Sequence, residues 1–237
     1  MNSFRRNFSI ILKFAVFVFM IVGITVSLST YHLDGYSRWS KRLLYFTTQS
    51  NLWIGTLDLI LAVKLLKKKE NLDFLYALKL AFTVSIAMTM FVYCVILGPN
   101  ADESYRAWSF SSIILHVIVP ALAIADYFID NYRILYTKKH LFFTTIPPLI
   151  YLVFASILHL FSIDFGRGET YAYFFLNFST PAGLFGIMEN PPTIGSFYWI
   201  VFFLIFVLML SAFFISTSPT NVIERRRKLN EKTKKSI

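Results

Sequence analysis

The stretch Phe197 to Thr217, FYWIVFFLIFVLMLSAFFIST, contains no Asp, Glu, Lys, Arg or His. About 20 such residues wound into a helix reach across the hydrocarbon core of a bilayer. A helix that is apolar on every side is made for a buried or lipid environment rather than for water. This stretch therefore reads as a membrane span, and four others resemble it. Phe14 to Leu33, Leu80 to Ala101, Ala107 to Ala125 and Leu141 to Ile163 are all free of Asp, Glu, Lys and Arg. Leu43 to Val63 is a sixth, interrupted only by Asp58.

The sequence thus predicts an all-α fold, a polytopic integral membrane protein with six transmembrane helices. They lie at about 8–31, 43–66, 74–98, 108–130, 141–163 and 196–217, followed by a basic tail at 218–237. No internal repeat, heptad or low-complexity linker divides the chain, so 1–237 reads as one domain. The first span is too long and lacks the small-residue site of a cleaved signal peptide.

Composition points the same way. Hydrophobic residues make up 56% of the 237 residues and charged residues 15%, against roughly 25% charged in soluble proteins. The one cysteine, Cys94, excludes an intramolecular disulfide and a cysteine-based metal site. The net charge of +10 suits anionic headgroups, and the basic tail lacks the aromatic interleaving of a nucleic-acid binder. No nucleic-acid partner and no cofactor is expected. Partners are membrane lipids, and the location is the cell membrane.

The distribution of cations sets the orientation. Of the 23 Lys and Arg, eighteen fall on the side holding Arg5, Lys13, Lys64, Lys79, Arg133 and the tail. Five, namely Arg38, Lys41, Arg42, Arg106 and Arg167, fall on the other. The positive-inside rule then places both termini in the cytoplasm. Tyr171 to Met188 is apolar enough to suggest a seventh crossing, but a crossing there would export the cationic tail. A loop dipping into the outer interface is the expectation.

Polar groups within spans are costly and mark function. The second span opens Tyr45-Phe46-Thr47-Thr48-Gln49-Ser50-Asn51, with Asp58 further along. At about 100° per residue, Asn51 lies about 40° and Asp58 about 20° from Thr47, forming one polar stripe. Thr48 points elsewhere, with Leu52 and Gly55. Such residues also serve as hydrogen-bonding glue between helices. The fourth span carries His116, Pro120 and Asp126. Pro120 has no N–H for the carbonyl four residues back, which leaves the His116 C=O free. With Thr47 at roughly 6 Å and His116 at roughly 12 Å below the outer helix ends, a hydroxyl and an imidazole can meet in the outer leaflet. His159 is a rival base near headgroup depth. Asp58 and Asp126 sit deeper, either orienting groups below a site or pairing with Lys64 or Arg133. A metal site built on His116, His159 and Asp126 lacks ligand spacing, so no metal is expected.

Tyr45-Phe46-Thr47-Thr48-Gln49-Ser50-Asn51-Leu52, His116-x-x-x-Pro120-x-x-x-x-x-Asp126-Tyr127 and Tyr171-Ala172-Tyr173-Phe174-Phe175-Leu176-Asn177 together resemble a known family. It is the bacterial six-helix membrane proteins related to the androgen-induced integral membrane proteins. Animal members hydrolyse fatty acid esters of hydroxy fatty acids with an intramembrane threonine nucleophile and a histidine base. The resemblance implies Thr47 as nucleophile and His116 as base. Alignment on Phe-Thr selects Thr47, alignment on Asn-Leu selects Thr48, and the polar stripe favours Thr47. Ala172 stands where relatives usually have proline.

The expected function is therefore a membrane ester hydrolase acting on a lipophilic ester substrate. Histidine suits the base role because its ordinary pKa, near 6.5, keeps it largely neutral at pH 7. Asn51, or Gln49 and Ser50, are candidate donors to the oxyanion. Tyr171 to Met188 is a candidate lid. The alternative is a non-enzymatic small transporter or lipid-binding membrane protein, in which Asp58, His116 and Asp126 line a proton or substrate path.

Overall fold

A computed structural model describes residues 3–69, 71–99, 106–130, 134–189 and 192–235. Arg133, one of the two cations considered as a carboxylate partner, lies outside the described residues. The helices are α1 (Ser3–Ser29), α2 (Phe46–Leu66), α3 (Asp73–Leu97), α4 (Phe110–Ile129), α5 (Lys138–Leu160), α6 (Ser196–Thr217) and α7 (Pro219–Lys235). A two-stranded antiparallel ribbon, Ile187–Glu189 with Pro192–Ile194, precedes α6. The fold is all-α apart from this ribbon, and it is that of a multi-pass membrane protein.

Five helices among the described residues, α1, α3, α4, α5 and α6, are long and apolar enough to cross a membrane. With 21 residues α2 has the length, but the run Thr47 to Asn51, Asp58 and Lys64 dilute its apolar character. It starts at Phe46 rather than at 43 because Tyr45 is extended (φ −85°, ψ 142°) and closes off a 3₁₀ turn, Trp39–Leu44. Similarly, α5 stops at Leu160, and Ser162 beyond it takes a left-handed φ of 52°.

The packing explains how a polar helix is housed. Neighbouring α1 and α3 cover α2, and α3 also touches α4, α5 and α6. Val16, Met20, Ile54, Ile86, Ile114 and Val119 form a core among α1 to α4. Gly23 lets α1 approach α4 closely, since a Cβ there would come within 2.7 Å of an Ile114 methyl. Large apolar side chains such as Ile11, Val18, Ile150, Val153, Ile205 and Met209 remain exposed on α1, α5 and α6. Extended apolar exposure of this kind needs lipid or another protein to cover it.

Two helices widen to five-residue hydrogen-bond steps, α3 over Val92–Leu97 and α4 over Ile114–Ile118. Gly98 N–H donates to Tyr93 O, and Val119 N–H to Ile114 O. The second wide segment ends just before Pro120, whose missing N–H breaks the ordinary ladder there. Such π segments often accompany functional sites. These two carry Tyr93 and His116.

Between Leu160 and Ser196 the chain makes no membrane-length helix among the described residues. It forms a short 3₁₀ turn at Phe174–Leu176 and the ribbon. Phe165, Phe175 and Leu176 pack against Phe46, Val92, Tyr151 and Phe203, so this segment seals one end of the bundle.

Candidate functional site

At the sealed end, Thr47 is the second residue of α2. Its Oγ1 lies 3.2 Å from Nε2 of His116, and Nδ1 of His116 lies 2.8 Å from Ser112 O. A carbonyl can only accept, so Nδ1 carries the proton. A neutral imidazole then has a bare Nε2, and the Thr47 hydroxyl donates to it. The ring is held flat against Tyr93, with centroids 3.9 Å apart and an interplanar angle of 13°. Tyr93 is itself fully buried and donates its hydroxyl to Ala107 O. A hydroxyl, an imidazole and a carbonyl that selects the imidazole's tautomer stand in line, an arrangement able to activate a weak hydroxyl nucleophile.

The rest of the polar stretch frames this pair. Thr48 Oγ1 donates to Arg42 O at 2.8 Å, and Gln49 Nε2 donates to Leu43 O at 3.2 Å. Both thereby tie the 3₁₀ turn to the start of α2. Ser50 bonds Thr89 Oγ1 at 2.9 Å, joining α2 to α3. Asn51 Nδ2 donates to Thr47 O at 2.8 Å and to Leu115 O at 3.0 Å, joining α2 to α4 beside His116. Asn51, Gln49 and Ser50 were candidate oxyanion donors. In the structure each of them bonds a neighbouring element or its own helix.

The other candidates lie apart from Thr47. His159 holds the segment after α5: its Nδ1 is 3.2 Å from Thr170 O, and its Nε2 is 3.2 Å from Ser179 Oγ. Asp58 and Asp126 share the partner Lys79 deeper in the bundle. Lys79 Nζ is 2.5 Å from Asp58 Oδ1 and 2.9 Å from Asp126 Oδ2, and Lys13 Nζ is 2.9 Å from Asp126 Oδ2. Lys13 also pairs with Asp130, to which the Tyr76 hydroxyl donates at 2.8 Å. Lys13 and Lys79, rather than Lys64, are therefore the partners of these carboxylates. Both lysines are buried inside the bundle. Asp58 is eleven residues from Thr47, roughly 16 Å along the helix, so neither carboxylate orients the pair directly. Among the described residues no group of three His, Cys, Asp or Glu is placed to hold a metal ion.

Two cavities converge on Thr47 and His116. One, of about 80 Å³, is a narrow apolar slot walled by Phe46, Val92, Leu152, Phe203 and Leu204. The other, of about 380 Å³, is polar and bounded by Arg42, Tyr45, Ser112, Arg167 and Glu169. On its wall Tyr36 lies between the guanidinium groups of Arg42 and Arg167, 4.6 and 4.7 Å from the ring centroid. Arg42 also donates to Ser27 at 2.8 Å and pairs with Asp34. Thr47, His116, Leu97 and Tyr173 border both spaces.

The roles of two site residues escape a reading of the sequence. Tyr93 is one of many aromatic residues in an apolar helix, and nothing in its spacing relates it to His116. Tyr173 belongs to a motif and candidate lid that the sequence marks, but nothing in the sequence relates its hydroxyl to Thr47. Its hydroxyl oxygen accepts from the Thr47 N–H at 3.4 Å. Burial pushes that hydroxyl up to about 12, so it keeps its proton at neutral pH. No family profile, curated protein or solved structure matches the chain.

Proposed function

We propose that this protein is a membrane-embedded lipid-ester hydrolase with Thr47 as nucleophile and His116 as general base. The 3.2 Å contact between Thr47 Oγ1 and His116 Nε2 carries the reading. The His116 tautomer set by Ser112 O supports it. Thr47 attacks the ester carbonyl while its proton passes to Nε2. The alcohol leaves with that proton, and water then hydrolyses the acyl-threonine by the reverse proton route. The apolar slot suits an acyl chain, and the polar cavity admits the alcohol half and water. Fatty acid esters of hydroxy fatty acids are the substrate class implied by the family resemblance. In this reading six helices, α2 included, cross the cell membrane, both termini are cytoplasmic, and the pair lies in the outer leaflet.

Thr47→Ala and His116→Ala proteins, folded and purified in detergent, are expected to lose at least 100-fold of the wild-type rate on fatty acid esters. A fluorophosphonate probe should attach to Thr47 in wild type and not in Thr47→Ala. Wild-type rates in both variants would refute the proposal.

One observation favours a second reading. The cluster of Lys13, Lys79, Asp58, Asp126 and Asp130 buried among four helices is the sort of ionisable group found along proton paths. A transporter would show proton-coupled flux in vesicles that is lost in Asp58→Asn but unaffected in Thr47→Ala.

A further inference from the structure

An acyl transfer at Thr47 places a negative charge on the ester carbonyl oxygen, and a donor must meet it. Gln49 and Asn51 turn their amide groups onto backbone carbonyls, and the Ser50 hydroxyl bonds Thr89 and Thr47 O. Two donors lie close to the Thr47 hydroxyl. One is the backbone N–H of Thr47, which belongs to the first turn of α2 and has no partner within the helix. The other is the hydroxyl of Tyr173, which the covering segment presses against that N–H at 3.4 Å. This distance is at the outer limit of a hydrogen bond. An incoming carbonyl oxygen can therefore take the N–H from Tyr173 at little cost, and the Tyr173 O–H can turn to the same oxygen.

The ring is positioned independently of its hydroxyl. Tyr173 stacks on Phe175 at 5.1 Å with an interplanar angle of 6°, and meets Tyr45 edge-on at 5.8 Å. It borders both cavities, where the carbonyl between an acyl chain and its alcohol would sit. Resting on the hydrolase reading above, we infer that Tyr173 is a third catalytic residue, donating its hydroxyl together with the Thr47 N–H to the oxyanion. As Oγ1 bonds the carbonyl carbon, the C=O electron pair moves onto the oxygen held by these two donors. The pair returns when the bond to the alcohol oxygen breaks, and the alcohol takes its proton from His116.

The test compares wild type with Tyr173→Phe, which keeps the ring stack. Loss of one such donor typically lowers kcat about 100-fold or more, with KM within about twofold and an unchanged unfolding midpoint. Affinity for a long-chain trifluoromethyl ketone, whose adduct with Thr47 mimics the oxyanion, should fall by a similar factor. An active wild type with an equally fast Tyr173→Phe overturns the role of Tyr173 alone. A change confined to KM overturns it too, since that would mark Tyr173 as a substrate-binding group. An inactive wild type overturns the hydrolase reading and this role together. If Tyr173→Phe folds poorly, 3-fluorotyrosine at position 173 keeps the ring while making the hydroxyl more acidic. A rate insensitive to that change also overturns the role.

Discussion

Thr47 and Thr48 are adjacent threonines at the start of one helix, and their surroundings separate them. Thr47 Oγ1 faces His116, whereas Thr48 Oγ1 caps the carbonyl of Arg42. Thr48→Ala is therefore expected to hydrolyse esters within a few-fold of wild type while losing about 1 kcal/mol of stability, the usual worth of one hydrogen bond. Thermal unfolding in detergent alongside the ester assay measures both. Asn51 acts differently, because its amide spans from α2 to the carbonyl next to His116. If the hydrolase proposal holds, Asn51→Leu should lower the rate at least tenfold by freeing the carbonyl beside His116. The sequence singles out Thr47, His116 and Asn51 because polar groups stand out in an apolar run. It is silent on Tyr93, since an aromatic residue in a chain with 26 Phe and 13 Tyr carries no local signal, and it marks the stretch around Tyr173 without giving that residue a role.

Helices α1 to α4 meet at both ends through polar chemistry, and the two ends differ in kind. At the Thr47 end the bonds about Thr47 and His116 join neutral groups, with the Arg42–Asp34 pair, Arg167 and Glu169 around the polar cavity beside them. Towards the other end Asp58, Asp126, Lys13 and Lys79 are buried together, with the half-buried Asp130 beside them. Burying charge is costly, and removing one partner of a buried pair typically costs about 3–5 kcal/mol. Lys79→Met should accordingly lower the unfolding midpoint sharply, because Asp58 and Asp126 both lose a partner. Asp58→Asn combined with Lys79→Met should recover part of that loss. A double variant no more stable than Lys79→Met would show that Asp58 does not depend on Lys79. Periodicity along single helices identifies Asp58 and Asp126 as unusual, yet their partners come from other helices. Lys13 and Lys79 look like ordinary flanking cations in the sequence, and only packing shows that they point inward.

The whole molecule presents an apolar surface on α1, α5 and α6 and keeps its polar groups within or at the ends of the bundle. The exposed Ser37 precedes α2 and the exposed Lys68 follows it. With Cys94 replaced by Ala, a cysteine at position 37 should react with a membrane-impermeant maleimide in intact cells. One at position 68 should react only after lysis. The reverse pattern would invert the proposed topology, and equal labelling at both positions in intact cells would deny that α2 crosses.

Membrane class, all-α architecture and approximate helix positions follow from the sequence, because long apolar runs have few stable alternatives in water or lipid. The polar stripe on α2 is equally local, since helical spacing alone places Thr47, Asn51 and Asp58 on one face. The tertiary structure decides which groups across helices touch. It brings Thr47 to His116, sets the His116 tautomer through Ser112 O, stacks Tyr93 on the ring, lays Tyr173 over the pair, and gathers Lys13 and Lys79 around Asp126. Apart from Ser112, which is one helical turn before His116, these partners lie about two dozen to more than a hundred positions apart, and their geometry depends on how helices cross and widen, which no single run of sequence encodes.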